Sequence, residues 1–98
     1  MWILQSAADE DGDSWTFRLA AGAIKTIGRS PGAEFVVDAP LVSRLHCRLT
    51  ASDERVEVVD LDSTNGTYIN DERIKTGTLG SGDRLRVGRV ALTLELQP

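Results

Sequence analysis

Val90-Ala91-Leu92-Thr93-Leu94-Glu95-Leu96-Gln97 alternates strictly, with Val90, Leu92, Leu94 and Leu96 on one face and Ala91, Thr93, Glu95 and Gln97 on the other. A period of two is that of a β-strand whose first set of side chains faces a core and whose second set faces water. An apolar repeat at i, i+3, i+4 and i+7 over a dozen residues would call for a helix instead. No stretch of the chain holds one.

Outward from this segment, short alternating or β-branched runs recur at Trp15 to Leu19, Ile24 to Ile27, Phe35 to Val37, Cys47 to Thr50, Val56 to Val59, Thr67 to Ile69 and Leu85 to Val87. Turn-formers separate them, among them Asp11-Gly12-Asp13, Ser30-Pro31-Gly32, Asp38-Ala39-Pro40, Asn65-Gly66, Asn70-Asp71 and Gly80-Ser81-Gly82-Asp83. Short strands at this even spacing predict an all-β, antiparallel sandwich or barrel.

The 98 residues are enough for one domain, residues 1–98, and too few for two. Area scaling has such a chain bury roughly 64% of its extended surface, so one modest core is expected. Apolar residues at 41% and charged residues at 27% exclude a chain that is disordered in its main state. No internal repeat, low-complexity segment or linker is visible. Pro98 follows the last strand directly, so in a longer native protein the cut would fall at a domain boundary.

A net charge of −4 argues against a broad cationic footprint for nucleic acid or an anionic membrane, though it leaves room for one small basic pocket. No apolar run approaches the ~20 residues of a membrane span, and Met1-Trp2-Ile3-Leu4 lacks the pattern of a signal peptide. The expected location is cytoplasmic. Cys47 is the sole cysteine, so no internal disulfide can form, and it reads as a small buried apolar residue. One His46 and one Cys47 cannot supply the three or four ligands of a zinc site. Neither metal nor cofactor is expected.

Four stretches combine a turn with polar side chains that a core does not need: Gly28-Arg29-Ser30, Ser43-Arg44-Leu45-His46, Asp62-Ser63-Thr64-Asn65-Gly66-Thr67, and Asn70-Asp71. Asn-Gly is the strongest tight-turn signal because both residues tolerate φ > 0, and Ser63 and Thr64 before it are expected at a loop rim. Loops at one end of a sandwich can gather a guanidinium and several hydroxyls. A guanidinium is a planar fork of donors that matches two oxygens of a phosphate or carboxylate, and each hydroxyl can donate once. A phosphomonoester, with about −1.5 to −2 charges and three strong acceptor oxygens, complements that set. The set holds no catalytic group.

At these residues the chain resembles the forkhead-associated (FHA) domain family, β-sandwich modules that bind phosphothreonine peptides. The likeness runs from Trp2 to Leu96 and rests on Gly28-Arg29, on Ser43 with His46 three residues on, and on Ser63-Thr64-Asn65-Gly66-Thr67 followed by Asn70. It implies a two-sheet sandwich of about eleven short strands. It also implies that Arg29 and Ser43 contact the phosphate, that Thr64 adds a phosphate hydrogen bond, that Arg44 makes another phosphate or peptide contact, and that Asn65 holds the peptide main chain. Gly28, His46 and Gly66 match positions that keep the loops in shape. The implied partner is a phosphothreonine-containing protein, with a Ser/Thr kinase acting upstream and no nucleic acid or membrane. Oligomeric state and flanking-residue preference stay open.

Each residue also has a plainer reading. Arg29 can be a solvated surface arginine, Ser43 a turn cap, Thr64 a brace for the Asn-Gly turn, Arg44 a partner of Asp62, and Asn65 a residue kept for its left-handed backbone. A Ser43/His46 nucleophile pair would need an orienting group and an oxyanion hole, for which no motif is present. Asn65-Gly66-Thr67 matches a glycosylation acceptor but has no secretion signal to bring it there. The glycines of Gly77 to Gly82 lack a P-loop lysine and a following helix and read as hairpin turns. Asp9-Glu10-Asp11 and Asp53-Glu54 read as solvated faces. The second functional class is an assembly module that binds through a sheet face without phosphate.

Overall fold

Val90, Leu92 and Leu94 face the interior while Ala91 and Glu95 face solvent, so the alternation builds one buried face. It stops short of its last member: Leu96 at the strand's end is 49% exposed. The computed structural model describes residues 1–8 and 12–98. Asp9-Glu10-Asp11 and the first residue of the turn at Asp11 lie outside the described residues.

Among the described residues there is no helix, and eleven strands occur: β1 (Trp2–Ser6), β2 (Thr16–Leu19), β3 (Ile24–Gly28), β4 (Phe35–Val36), β5 (Cys47–Ala51), β6 (Val56–Asp60), β7 (Thr67–Ile69), β8 (Glu72–Ile74), β9 (Thr76–Leu79), β10 (Arg84–Val87) and β11 (Val90–Leu96). One sheet has the order β2-β1-β11-β10-β7-β8 and the other β4-β3-β5-β6-β9. The chain is an all-β sandwich. Every pairing is antiparallel except β3 with β4, where Ile27 lies opposite Phe35 and Gly28 opposite Val36 in parallel.

Three strands lie outside the runs read from the sequence. β1 pairs along its whole length with β11, from Trp2 opposite Leu96 to Ser6 opposite Leu92, and Trp2 and Leu4 are buried. β8 is a charged three-residue edge strand, paired with β7 across the two-residue turn Asn70-Asp71. Both turn residues take left-handed backbone, at φ 48° and 69°, the type I′ geometry that matches the twist of a hairpin. Gly77, read as part of a turn, belongs to β9. A Cβ there would stand 2.7 Å from Ile69 Cδ1, so the missing side chain makes room for the neighbouring sheet. The turn itself is Gly80 to Gly82.

The core joins the inner faces through Leu4, Leu19, Ile27, Leu49, Val58, Leu79, Leu85, Leu92 and Leu94, all fully buried. Burying one leucine-sized side chain is worth roughly 1.5–3 kcal/mol. Two contacts tie the sheets at their margins. Phe17 of β2 stacks on Phe35 of β4 with ring centroids 4.6 Å apart, and the Trp2 indole donates to the Ser52 carbonyl at 2.7 Å.

Register decides which loops meet. Cys47 opens β5 opposite Asp60 at the end of β6 and Ile27 near the end of β3, while Val87 ends β10 opposite Thr67 at the start of β7. The segments after β3, before β5, between β6 and β7, and between β10 and β11 therefore share one end of the sandwich.

Candidate functional site

Gly28 closes β3 where nothing larger fits, because a Cβ there would stand 1.9 Å from the Arg44 carbonyl oxygen. Its bareness lets the segment 43–46 cross the strand end and continue the ladder: Arg29 N–H donates to Ser43 O at 2.9 Å, Ser30 N–H to Arg44 O at 3.1 Å, and His46 N–H to Ile27 O at 2.8 Å. The Arg29 guanidinium is anchored through Nε to the Val42 carbonyl at 3.0 Å. That bond spends one donor of the fork and leaves the terminal nitrogens without a protein partner among the hydrogen bonds of the described residues.

Two hydrogen bonds draw the Asp62–Gly66 loop onto this platform. Ser43 Oγ accepts from Thr64 N–H at 3.1 Å, which leaves the serine's own proton free to donate. Asn65 Nδ2 donates to the Leu41 carbonyl at 3.0 Å, leaving its Oδ1 free to accept. His46, fully buried, fastens the same loops from below: Nδ1 accepts from Ser43 N–H at 3.0 Å, so Nε2 carries the proton and donates to Gly66 O at 2.8 Å. With both ring nitrogens engaged, His46 is not placed to take a proton from the Ser43 hydroxyl.

Arg29, Ser43, Thr64 and Asn65 accordingly line one open cleft of ≈ 340 Å³, with Pro40, Leu41 and Val42 as its other wall. Arg44 is exposed and stands outside that lining. Arg84 pairs with Asp71 at 3.3 Å, whereas Arg44 and Asp62 form no ion pair with each other. Gly66 alone of the Asn-Gly pair has left-handed backbone, at φ 88°; Asn65 is kept in this loop by its side-chain bond to Leu41.

Ser63 departs from its expected place at the rim. It is only 8% exposed, and its hydroxyl donates to Asp60 Oδ1 at 2.5 Å while accepting from Gly66 N–H at 3.0 Å. Thr67 Oγ1 donates to the same Asp60 oxygen at 2.7 Å, and Ser63 N–H to Asp60 Oδ2 at 3.2 Å. Burial works to raise the Asp60 pKa, but these hydrogen bonds from Ser63 and Thr67 outweigh it and hold the carboxyl below the usual range. The sequence reading missed Asp60. The available signal was its position three residues before a serine, the spacing of a side-chain-capped turn. Leu41 lines the cleft with its backbone in the left-handed region at φ 71°. Beside this network, burial and then the Asp60 charge push the Cys47 thiol up to about 12, so it is an inert packing residue at ordinary pH.

A larger hollow of ≈ 460 Å³ opens on the far side of the same loop, lined by Asp60, Asp62, Ser63, Arg73, Ile74 and Lys75. Its lining mixes two carboxylates with the cations Arg73 and Lys75. The Arg29 cleft has no carboxylate in its lining, presents a guanidinium beside two hydroxyls, and so suits a compact dianion. Among the described residues no three His, Cys, Asp or Glu side chains cluster as a metal site would require.

Comparison with known proteins bears on the family and the fold. The FHA domain family model matches residues 25–88. The oxoglutarate dehydrogenase inhibitor of Corynebacterium diphtheriae is 40% identical over 67 residues, 68% of this chain and 47% of that protein. The chain spans about half the length of the curated relatives it matches. Among solved structures, the FHA domain of FhaA, complexed with the intracellular domain of Rv3910, superposes with a TM-score of 0.83 at 30% identity, covering 97% of this chain and 100% of that one. Mycobacterium tuberculosis EmbR, in complex with a low-affinity phosphopeptide, gives 0.80 at 28% identity over 98% of this chain and 24% of the other.

Proposed function

Because this chain belongs to the forkhead-associated domain family, we propose that its Arg29 cleft binds phosphothreonine in a protein partner and so recruits that partner after a Ser/Thr kinase has acted. One observation carries the reading: the anchored Arg29 fork, the Ser43 hydroxyl with a free proton, and Thr64 line a single cleft without a carboxylate. In this reading Arg29 and Ser43 bind phosphate oxygens, Thr64 donates a further hydrogen bond, and Asn65 accepts from a peptide N–H through Oδ1. Arg44 joins from the rim once a peptide is seated. Gly28, His46 and Gly66 keep the loops in register.

The relatives support the reading by what they are: an enzyme inhibitor, a domain holding another protein's intracellular segment, and a protein bound to a phosphopeptide. They support regulation by binding; that this chain works inside the cell on kinase products is part of the same reading. Residues 1–98 then act as one binding unit.

Calorimetry with a peptide carrying phosphothreonine, and with the same peptide unmodified, tests the proposal. Binding should require the phosphate. It should also weaken as pH falls through about 6, where the phosphate takes up its second proton, because the proposed donors do not change charge there. Equal affinity for both peptides would overturn the reading and favour a phosphate-independent assembly module that binds through a sheet face.

A further inference from the structure

The outer face of the six-stranded sheet carries a feature that the phosphate cleft does not use. Tyr68 of β7 lies opposite Arg86 of β10 and opposite Arg73 of β8. Residues paired across strands project to the same face, so the three form a row, arginine-tyrosine-arginine, across the sheet. Arg86 stacks on the tyrosine with Cζ 3.9 Å from the ring centre, and its Nη1 donates to the Gly88 carbonyl at 3.2 Å. Arg73 packs on the Asp62–Gly66 loop: Nε and Cζ lie 2.7 and 3.0 Å from where a Gly66 Cβ would stand.

Carboxylates are absent from this row. Among the described residues, the outward positions of β7, β8, β10 and β11 hold one acid, Glu95, hydrogen-bonded to Ser81 at the opposite end. Asp71, in the turn at that same end, is already paired with Arg84. Arg73 and Arg86 form no ion pair among the described residues. A protein of net charge −4 thus presents two guanidinium groups outside any ion pair on one face; Arg73, which also borders the hollow of Asp60 and Asp62, rests on the loop that carries Thr64 and Asn65.

We propose that the Arg73-Tyr68-Arg86 row is a docking stripe for an acidic segment of the phosphorylated partner, engaged when its phosphothreonine sits in the Arg29 cleft. The proposal rests on the phosphothreonine reading of that cleft. Continuity explains the choice of occupant: Arg73 packs on Gly66 beside Asn65 of the cleft, and the row runs on from it through Tyr68 to Arg86. Asp or Glu side chains supply the complementary charge, and tyrosine offers an apolar surface to their stems. Exposed charge pairs are individually weak, so the stripe adjusts partner choice and encounter rate more than it creates affinity.

The test uses three phosphothreonine peptides of one sequence, with neutral flanks, with acidic residues placed before the phosphothreonine, or with them placed after it, measured by fluorescence anisotropy. One acidic peptide should bind about two- to fivefold tighter than the neutral one at low salt, and the advantage should vanish in about 1 M salt, where charges are screened within ~3 Å. Arg73→Gln should abolish the advantage while leaving the neutral peptide unchanged, and Arg73→Lys should keep part of it. An advantage that survives Arg73→Gln, or no advantage for either acidic peptide, overturns the stripe. Arg29→Ala separates the two proposals. Loss of all three peptides upholds the cleft even if the stripe fails, and unchanged binding of the neutral peptide means the cleft reading has failed.

Discussion

Arg29 concentrates the argument at the scale of single residues, because one of its donors is fixed to Val42 O and the others face a cleft. A charge-assisted hydrogen bond contributes about 1.5–3 kcal/mol. Arg29→Ala should therefore weaken phosphopeptide binding by about one to two decades, and Arg29→Lys should restore little, since an ammonium has no planar fork and cannot reproduce both the Val42 anchor and the phosphate contact. A titration in which Arg29→Ala matches the unsubstituted chain would remove Arg29 from the site. The polar residues of this cleft were legible in the sequence because each stands beside a turn signal and has no role in a core. Asp60 was not: it closes an otherwise ordinary strand, and only the folded loop brings Ser63 and Thr67 onto its carboxylate.

At the scale of elements, the junction of β3 with the segment before β5 positions the whole cleft. Gly28→Ala places a methyl group where the Arg44 carbonyl already is, so the 43–46 segment must move and strain its ladder. We expect a loss of about 2 kcal/mol or more, typical of overpacking against backbone, with weakened phosphopeptide binding in the molecules that remain folded. Thermal melting and titration of the same variant check this; full stability would show that the close approach is not needed. Two of the three strands that escaped the sequence reading share a cause. β8 and β9 bury few side chains, and hairpin geometry and the neighbouring sheet hold them, so no alternation marks them. β1 is apolar enough to be a strand, but a run this short at a chain start carries several meanings until β11 pairs with it.

For the whole molecule, two carboxylates at opposite ends link stability to pH. Asp60 is held low by the Ser63 and Thr67 hydrogen bonds against its burial, and Asp83 by the Gly80 N–H and the Asn70 side chain. A carboxyl whose pKa is lower in the folded state stabilises fully above its unfolded value, about 3.9, and loses that contribution as pH falls through the folded value. Melting temperature should hold through neutral pH and fall below about pH 4, and the double variant Asp60→Asn/Asp83→Asn should start lower and fall less. An identical acid slope in both proteins would refute the linkage. Periodicity, turn residues and polar side chains beside those turns are properties of neighbours in the chain, and from them the strand class, the loops and most of the cleft's chemistry follow. Which loops share an end depends on register between strands remote in sequence: the 21 residues from Ser43 to Thr64 close to a 3.1 Å hydrogen bond only because β5 and β6 pair over a common core. Pairing of that kind is settled by the packing of the entire sandwich, and no local segment encodes it.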